Sequence, residues 1–188
     1  MFQSDFKLKA SELRNLSEEN IARAKALPKN PINIVLDRIV DTYNIGSAFR
    51  IADSINASKV WLCGQDIATP YDRQVKKSSL NTCQFVEWES LSKTTEIFRQ
   101  KGIFIALEET SSIQEFSFKF QNCKNINGIC QEMNIPIFII IGSESFGISR
   151  EVLEQVNTIV SIPMYGVNTS MNVINALTII CYSILGVT

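Results

Sequence analysis

The feature that most narrows what this chain can fold into is a set of short, nearly continuous apolar runs. IPIFIIIG at 135–142 is the strongest of them, and INIVLD at 32–37, VWLCG at 60–64 and IFIAL at 103–107 resemble it. QFVEW at 84–88 and TIVSIP at 158–163 complete a predicted set of strands. Segments with helical spacing lie between them. In DTYNIGSAFRIADSINA the apolar positions Ile45, Ala48, Phe49, Ala52 and Ile55 recur on one helix face. LSKTTEIFRQKG reads as a helix ending at Gly102, SREVLEQV at 149–156 as a helix capped by Ser149, and 171–185 as a long apolar helix. Residues 110–134 are polar, have no clear period, and are expected to form loop with one short element. Strands alternating with helices, each strand apolar throughout, predict an α/β fold: a mostly parallel sheet covered by helices on both faces.

Residues 10–26 also read as helical, with Leu13, Leu16, Ile21 and Ala24 as a weak apolar stripe, and Pro28 and Pro31 then break the chain. The expected division is a short N-terminal helical extension, 1–30, and one domain, 31–188. The chain's 188 residues suit such a domain.

Composition removes several chemistries. The net charge is −1, so binding to nucleic acid would need a local basic patch. Lys7, Lys9, Arg14, Arg23, Lys25 and Lys29 could supply one, although Asp5, Glu12, Glu18 and Glu19 dilute it. The chain has no histidine, which excludes histidine triads, Cys–His pairs and histidine-ligated metals. Its five cysteines match no zinc spacing and read as reduced, mostly buried thiols, so no metal is expected. MFQSDFKLKA lacks a signal-peptide core, and the longest apolar stretch, 173–187, is interrupted by Asn175, Thr178 and Ser183. The expected location is the cytoplasm, with no membrane contact.

Ligands of open parallel sheets bind beyond the carboxyl ends of the strands, and three loops leave strands there. In the first, Asn44 is placed to cap a helix, Gly46 permits close backbone approach, and Arg50 shares a face with Gly46 and Ser47. Such an arginine can hold a phosphate or carboxylate; an ordinary capped helix with a surface arginine is the competing reading. In the second, Gly142 and Gly147 flank Glu144 directly after the strongest strand. This is neither a GxGxxG fingerprint nor a phosphate loop, and a tight turn would also explain it. The third runs IPMYG and then Asn168-Thr-Ser-Met-Asn172, rich in groups that bond a small polar ligand. From there Asn172, Asn175, Thr178 and Tyr182 line one side of an apolar helix, which reads as an interface in its distal part.

Together the three segments resemble the signature motifs of the SpoU/TrmH family of RNA ribose methyltransferases, in the SPOUT superfamily. Asn44, Gly46 and Arg50 match the first; Gly142, Glu144 and Gly147 the second; Ile162 to Gly166 with Ser170-Met171-Asn172-Val173 the third. The resemblance covers about 32–185 and extends to Lys76-Lys77-Ser78 through Glu87-Trp88. Met171 stands where the family usually has leucine, and Ile174 and Asn175 follow where a small residue is usual.

The resemblance implies a C-terminal trefoil knot, which periodicity would never suggest. It implies bound S-adenosylmethionine, held at Gly142, Ile162 and Met171 with Leu107 nearby. It implies a homodimer in which Arg50 of one subunit completes the other's site, and methyl transfer to a ribose 2′-hydroxyl of tRNA or rRNA. Arg50, Asn44, Glu144, Ser170 and Asn172 are the expected catalytic set; Arg50, Arg73, Lys76 and Lys77 are the expected RNA contacts. A non-catalytic RNA-binding or assembly protein on the same scaffold is the alternative. A Rossmann-like oxidoreductase is disfavoured, because the glycine fingerprint is missing.

Overall fold

A computed structural model describes residues 4–109, 117–118 and 135–186. Among these residues seven strands form one sheet: β1 (Asn30–Asp37), β2 (Ala57–Cys63), β3 (Trp88–Leu91), β4 (Ile103–Leu107), β5 (Ser117–Phe118), β6 (Ile137–Gly142) and β7 (Thr158–Val160). Their order is β3-β2-β1-β6-β4-β7-β5, and every strand pair is parallel. Among the described residues the α-helices are α1 (Ala10–Arg14), α2 (Glu18–Lys25), α3 (Thr42–Ser54), α4 (Arg73–Ser78), α5 (Arg150–Leu153) and α6 (Val173–Ile184).

The continuous apolar runs follow from two buried faces. Ile137, Ile139 and Ile141 of β6 join Ile32, Ile34 and Leu36 of β1 in a core with Phe49 of α3 and Leu177, Ile180 and Ile184 of α6. Phe138 and Ile140 point to the opposite face with Val35, Trp61 and Phe104, covered by Ile97, Ile148 and Val152. A strand buried on both sides needs no polar alternation.

The predicted elements shift in several places. The first helix is two helices, because Ser17 accepts a hydrogen bond from the Asn20 amide (3.1 Å) and starts α2 anew. β3 lies at 88–91 rather than 84–88: Asn81 has a left-handed backbone, a 3₁₀ turn (Thr82–Gln84) follows, and Phe85 and Val86 enter the core from there. LSKTTEIFRQKG forms a 3₁₀ turn (Thr94–Arg99) instead of an α-helix. The helix after Ser149 is one turn long, and β7 ends at Val160. Of 110–134, only the backbone of β5 lies within the described residues; Cys123 and Cys130 lie outside them. The other three cysteines are buried and unpaired, as expected.

The N-terminal segment is not a detached arm. Phe6, Leu13, Leu16 and Ile21 pack on the core beside buried Ala24.

Candidate active site

The carboxyl ends of β1 and β6 lie side by side, with Asp37 in register with Gly142. The loop after β1 leads into α3, whose cap is Asp41 and not Asn44: the Asp41 carboxylate accepts from the Tyr43 amide (2.7 Å). Asn44 sits inside the first turn, buried, so its side chain is available for another task. Gly46 does allow a close approach. A Cβ there would fall 1.9 Å from Ser78 Oγ at the end of α4 and 2.7 Å from the amide nitrogen of Ser79, its C-cap. Ser78 Oγ donates to the Thr42 carbonyl (2.9 Å), which joins α4 to the start of α3.

All three motif segments meet at one carboxylate. Glu144 Oε1 accepts from Asn44 Nδ2 (3.2 Å) and from Asn172 Nδ2 (2.7 Å). Asn172 Nδ2 also approaches Asn44 Oδ1 (3.4 Å), and Asn172 Oδ1 accepts from the Ile174 amide (2.9 Å), capping α6. Each amide is used at both ends, a closed pattern in which charge-assisted bonds are the stronger members. Among the described residues no hydrogen bond is formed at Glu144 Oε2.

Two further acids, not apparent as site residues in the sequence, fix the loop that carries Glu144. Asp37, 1% exposed, accepts from the Ser149 amide (3.1 Å) and the Thr94 hydroxyl, and pairs with Arg38 (3.3 Å). Arg38 Nη2 also donates to the Gly147 carbonyl (3.3 Å). Glu108, directly after β4, accepts from the Ile148 amide (2.7 Å). Gly147 has φ +60°, and a Cβ on it would lie 2.5 Å from Glu108 Oε2. The signal that could have found them is an acid at the end of an apolar strand, since a buried carboxylate needs partners.

These segments border a cleft of about 510 Å³. Leu107, Gly142, Ile162 and Met171 all line it, together with Glu144, Ser170 and Asn172. Asn44 stands behind Glu144 rather than in the wall, and Arg50 does not line the cleft of its own chain. Arg50, Arg73, Lys76 and Lys77 are exposed, and none has an ion-pair partner among the described residues. The distal stripe on α6 divides. Thr178 bonds back to the Ile174 carbonyl (2.8 Å), Tyr182 packs on the core, and Asn175 is exposed.

The described cysteines are buried, and burial favours the thiol over the thiolate. Burial, then the charge of Asp37, pushes the Cys63 thiol up to about 12, and burial raises Cys83 and Cys181 as well. Among the described residues no group of three or more acidic or thiol side chains could hold a metal, and no helix is long and apolar enough to cross a membrane.

The chain is similar to YacO of Bacillus subtilis, named for the TrmH family of tRNA/rRNA methyltransferases: 26% identity over 159 residues, 83% of this chain and 59% of that protein. It is 28% identical over 145 residues to the 23S rRNA (guanosine-2′-O-)-methyltransferase RlmB of Pseudomonas putida, covering 76% of this chain and 54% of that one. The chain thus spans between half and three fifths of the length of these relatives. An AdoMet-bound rRNA methyltransferase from Sinorhizobium meliloti has the same fold, with a TM-score of 0.70 at 18% identity over 95% of this chain and 61% of that one. The profile of the SpoU rRNA Methylase family matches residues 31–182, most of the sequence and all three loops of the site, and the chain belongs to that family.

Proposed function

We propose that this protein transfers a methyl group from S-adenosylmethionine to a ribose 2′-hydroxyl of tRNA or rRNA. The observation that carries the reading is the joining of Asn44, Glu144 and Asn172, one from each motif, beside a cleft lined by all four expected cofactor positions.

The cleft suits the cofactor. Its volume lies in the small-molecule range of roughly 300–1,000 Å³. Leu107, Ile162, Met171 and Ala176 give apolar walls, and the Glu108, Glu109 and Glu144 carboxylates surround a space where a positive group is favoured. When bound, S-adenosylmethionine supplies an electrophilic methyl on a cationic sulfur. The protein must orient the ribose hydroxyl and stabilise the charge that develops on its oxygen. Glu144 Oε2, without a hydrogen bond among the described residues, accepts from that hydroxyl and takes the proton it gives up; Asn44 and Asn172 hold the carboxylate in place. Ser170 shapes the rim. A guanidinium stays protonated, so Arg50 binds the adjacent phosphate and stabilises developing alkoxide rather than acting as a base.

The family resemblance implies a homodimer in which each protomer's Arg50 completes its partner's site, and an Arg50 outside its own cleft agrees with that arrangement. Exposed Asn175 and Ile179 of α6 suit that interface. Residues 31–188 form the methyltransferase domain and 1–30 its helical extension. A trefoil knot fits a strand order in which β6 enters between β1 and β4 before α6 returns to α3. Arg73, Lys76 and Lys77 contact RNA, and the protein works in the cytoplasm without a metal. Tritiated-methyl transfer to total RNA, with the labelled nucleotide mapped, tests the reading; label in no RNA class overturns it.

A further inference from the structure

Away from the cleft, one surface joins a bare aromatic ring to cations that have no ion-pair partner among the described residues. Tyr71 is 82% exposed. Its ring meets Trp88 edge to face, with centroids 5.7 Å apart and planes at 77°. This contact with half-buried Trp88, on the edge strand β3, fixes the ring without covering it.

Two residues on, α4 presents Arg73, Lys76 and Lys77 to solvent while Val75 is buried. The neighbouring acid, Asp72, is committed to the backbone: its Oδ1 accepts from the amides of Gln74 (2.7 Å) and Val75 (3.4 Å). The Gly46–Ser78 contact seats α4 on α3. Arg50 follows Gly46 by one turn, on the same helix face, so this further exposed cation stands on the helix against which α4 is seated. In a chain of net charge −1 this concentration is local.

A held but uncovered ring flanked by cations suits an unpaired nucleotide, whose base can stack while its phosphates meet the charges. A duplex keeps its bases stacked inward and can use only the cations. We propose that Tyr71 is a stacking platform for an unpaired base of the RNA, with α4 and Arg50 gripping the phosphates on either side. The proposal rests on the methyltransferase reading for its substrate and is separable from it by experiment.

The test is a fluorescence-anisotropy titration of the full chain with a labelled RNA hairpin carrying an unpaired loop, and with a blunt RNA duplex. Tyr71→Ala should weaken hairpin binding about tenfold and leave duplex binding unchanged, while Tyr71→Phe binds as wild type. Lys76→Gln with Lys77→Gln should weaken both RNAs and flatten the salt dependence by about 0.7–0.9 for each phosphate no longer neutralised. Unchanged hairpin affinity in Tyr71→Ala overturns the proposal, and so does an equal loss on both RNAs. Calorimetry with S-adenosylmethionine keeps the two readings apart. A wild-type protein that does not bind the cofactor defeats the methyltransferase reading alone; cofactor binding with normal hairpin affinity in Tyr71→Ala defeats the stacking platform alone.

Discussion

The two ends of the sheet carry cavities of nearly equal size, about 510 Å³ at the carboxyl end and about 500 Å³ at the amino end, yet they are built differently. At the amino end polar side chains mostly serve the backbone, and one pair, Lys29 Nζ donating to Asn56 Oδ1 (3.1 Å), also joins side chain to side chain. Lys29 donates to the Ala24 carbonyl (3.2 Å), Asn56 to the Pro28 carbonyl (2.6 Å) and Asn30 to the Ile55 carbonyl (2.7 Å). These bonds finish a helix and two turns. At the carboxyl end side chains hold one another, and Glu144 joins three loops that are distant in sequence. Volume therefore does not distinguish a site from a seam between packed elements. The distinguishing mark is polar groups from separate segments arranged toward an open wall.

Substitutions at the two ends should separate them, and the largest effect belongs to Arg50. Arg50→Ala should lower methyl transfer by roughly 10²–10³-fold, the scale for losing one charge-stabilising group, with cofactor affinity close to wild type in calorimetry. Near-normal turnover would return Arg50 to the status of a surface residue. Next is Gly147→Ala, which sets a side chain on a backbone at φ +60° and against Glu108 Oε2. It should cost about 1–3 kcal/mol in denaturant unfolding and weaken cofactor binding. Gly166→Ala is the control, since a Cβ there meets nothing within 4 Å.

Asn172 divides capping from bridging. Asn172→Ala should lose about 1 kcal/mol with the α6 cap. Asn172→Asp keeps an acceptor for the Ile174 amide but sets a second carboxylate beside Glu144, so it should keep the cap, break the bridge by like-charge repulsion and lose transfer. Equal turnover in Asn172→Asp and wild type would mean the bridge is not needed.

The smallest effect is expected at the amino end. Desolvation raises the Asp53 carboxyl, outweighing the lowering by Lys29 and Lys7. The folded state holds this proton more tightly than the unfolded chain, so the stability this group contributes falls as pH rises from its unfolded value through the folded one. Burial lowers Lys29, against the charges of Asp53 and Glu87, and its contribution rises as pH climbs toward the unfolded lysine value. Asp53→Asn should remove the acid-side slope, raise the melting midpoint at neutral pH by no more than about 2 °C, and leave methyl transfer untouched.

Much of the carboxyl end is legible in the sequence because its chemistry sits in short motifs whose residues stay close together along the chain. The apolar runs locate β1, β2, β4 and β6, because strands buried on both faces leave an unbroken apolar record. The displaced β3 shows the limit. Phe85 and Val86 are apolar because they fill the core, but a left-handed residue and a 3₁₀ turn deliver them there instead of a strand. Asn44 reads as a cap because asparagine commonly caps helices, while Asp41 three residues earlier does so. Asp37 and Glu108 do not stand out because their partners, the amides of Ser149 and Ile148, lie 112 and 40 residues away. Carboxylate-to-amide bonds leave no trace in the identity of the donor residue.

The seat of Ser78 against Gly46 also bears on how such a protein could be altered by recombination. With no room for even a methyl group between them, α3 and α4 cannot slide past each other. Any exchange of α4 for a segment with other cations must keep a small residue at 78, or displace the helix that holds Asn44. The smallest interchangeable unit therefore runs from Asp41 through Ser79, and a chimera joined inside it would inherit a gripping surface out of alignment with its site.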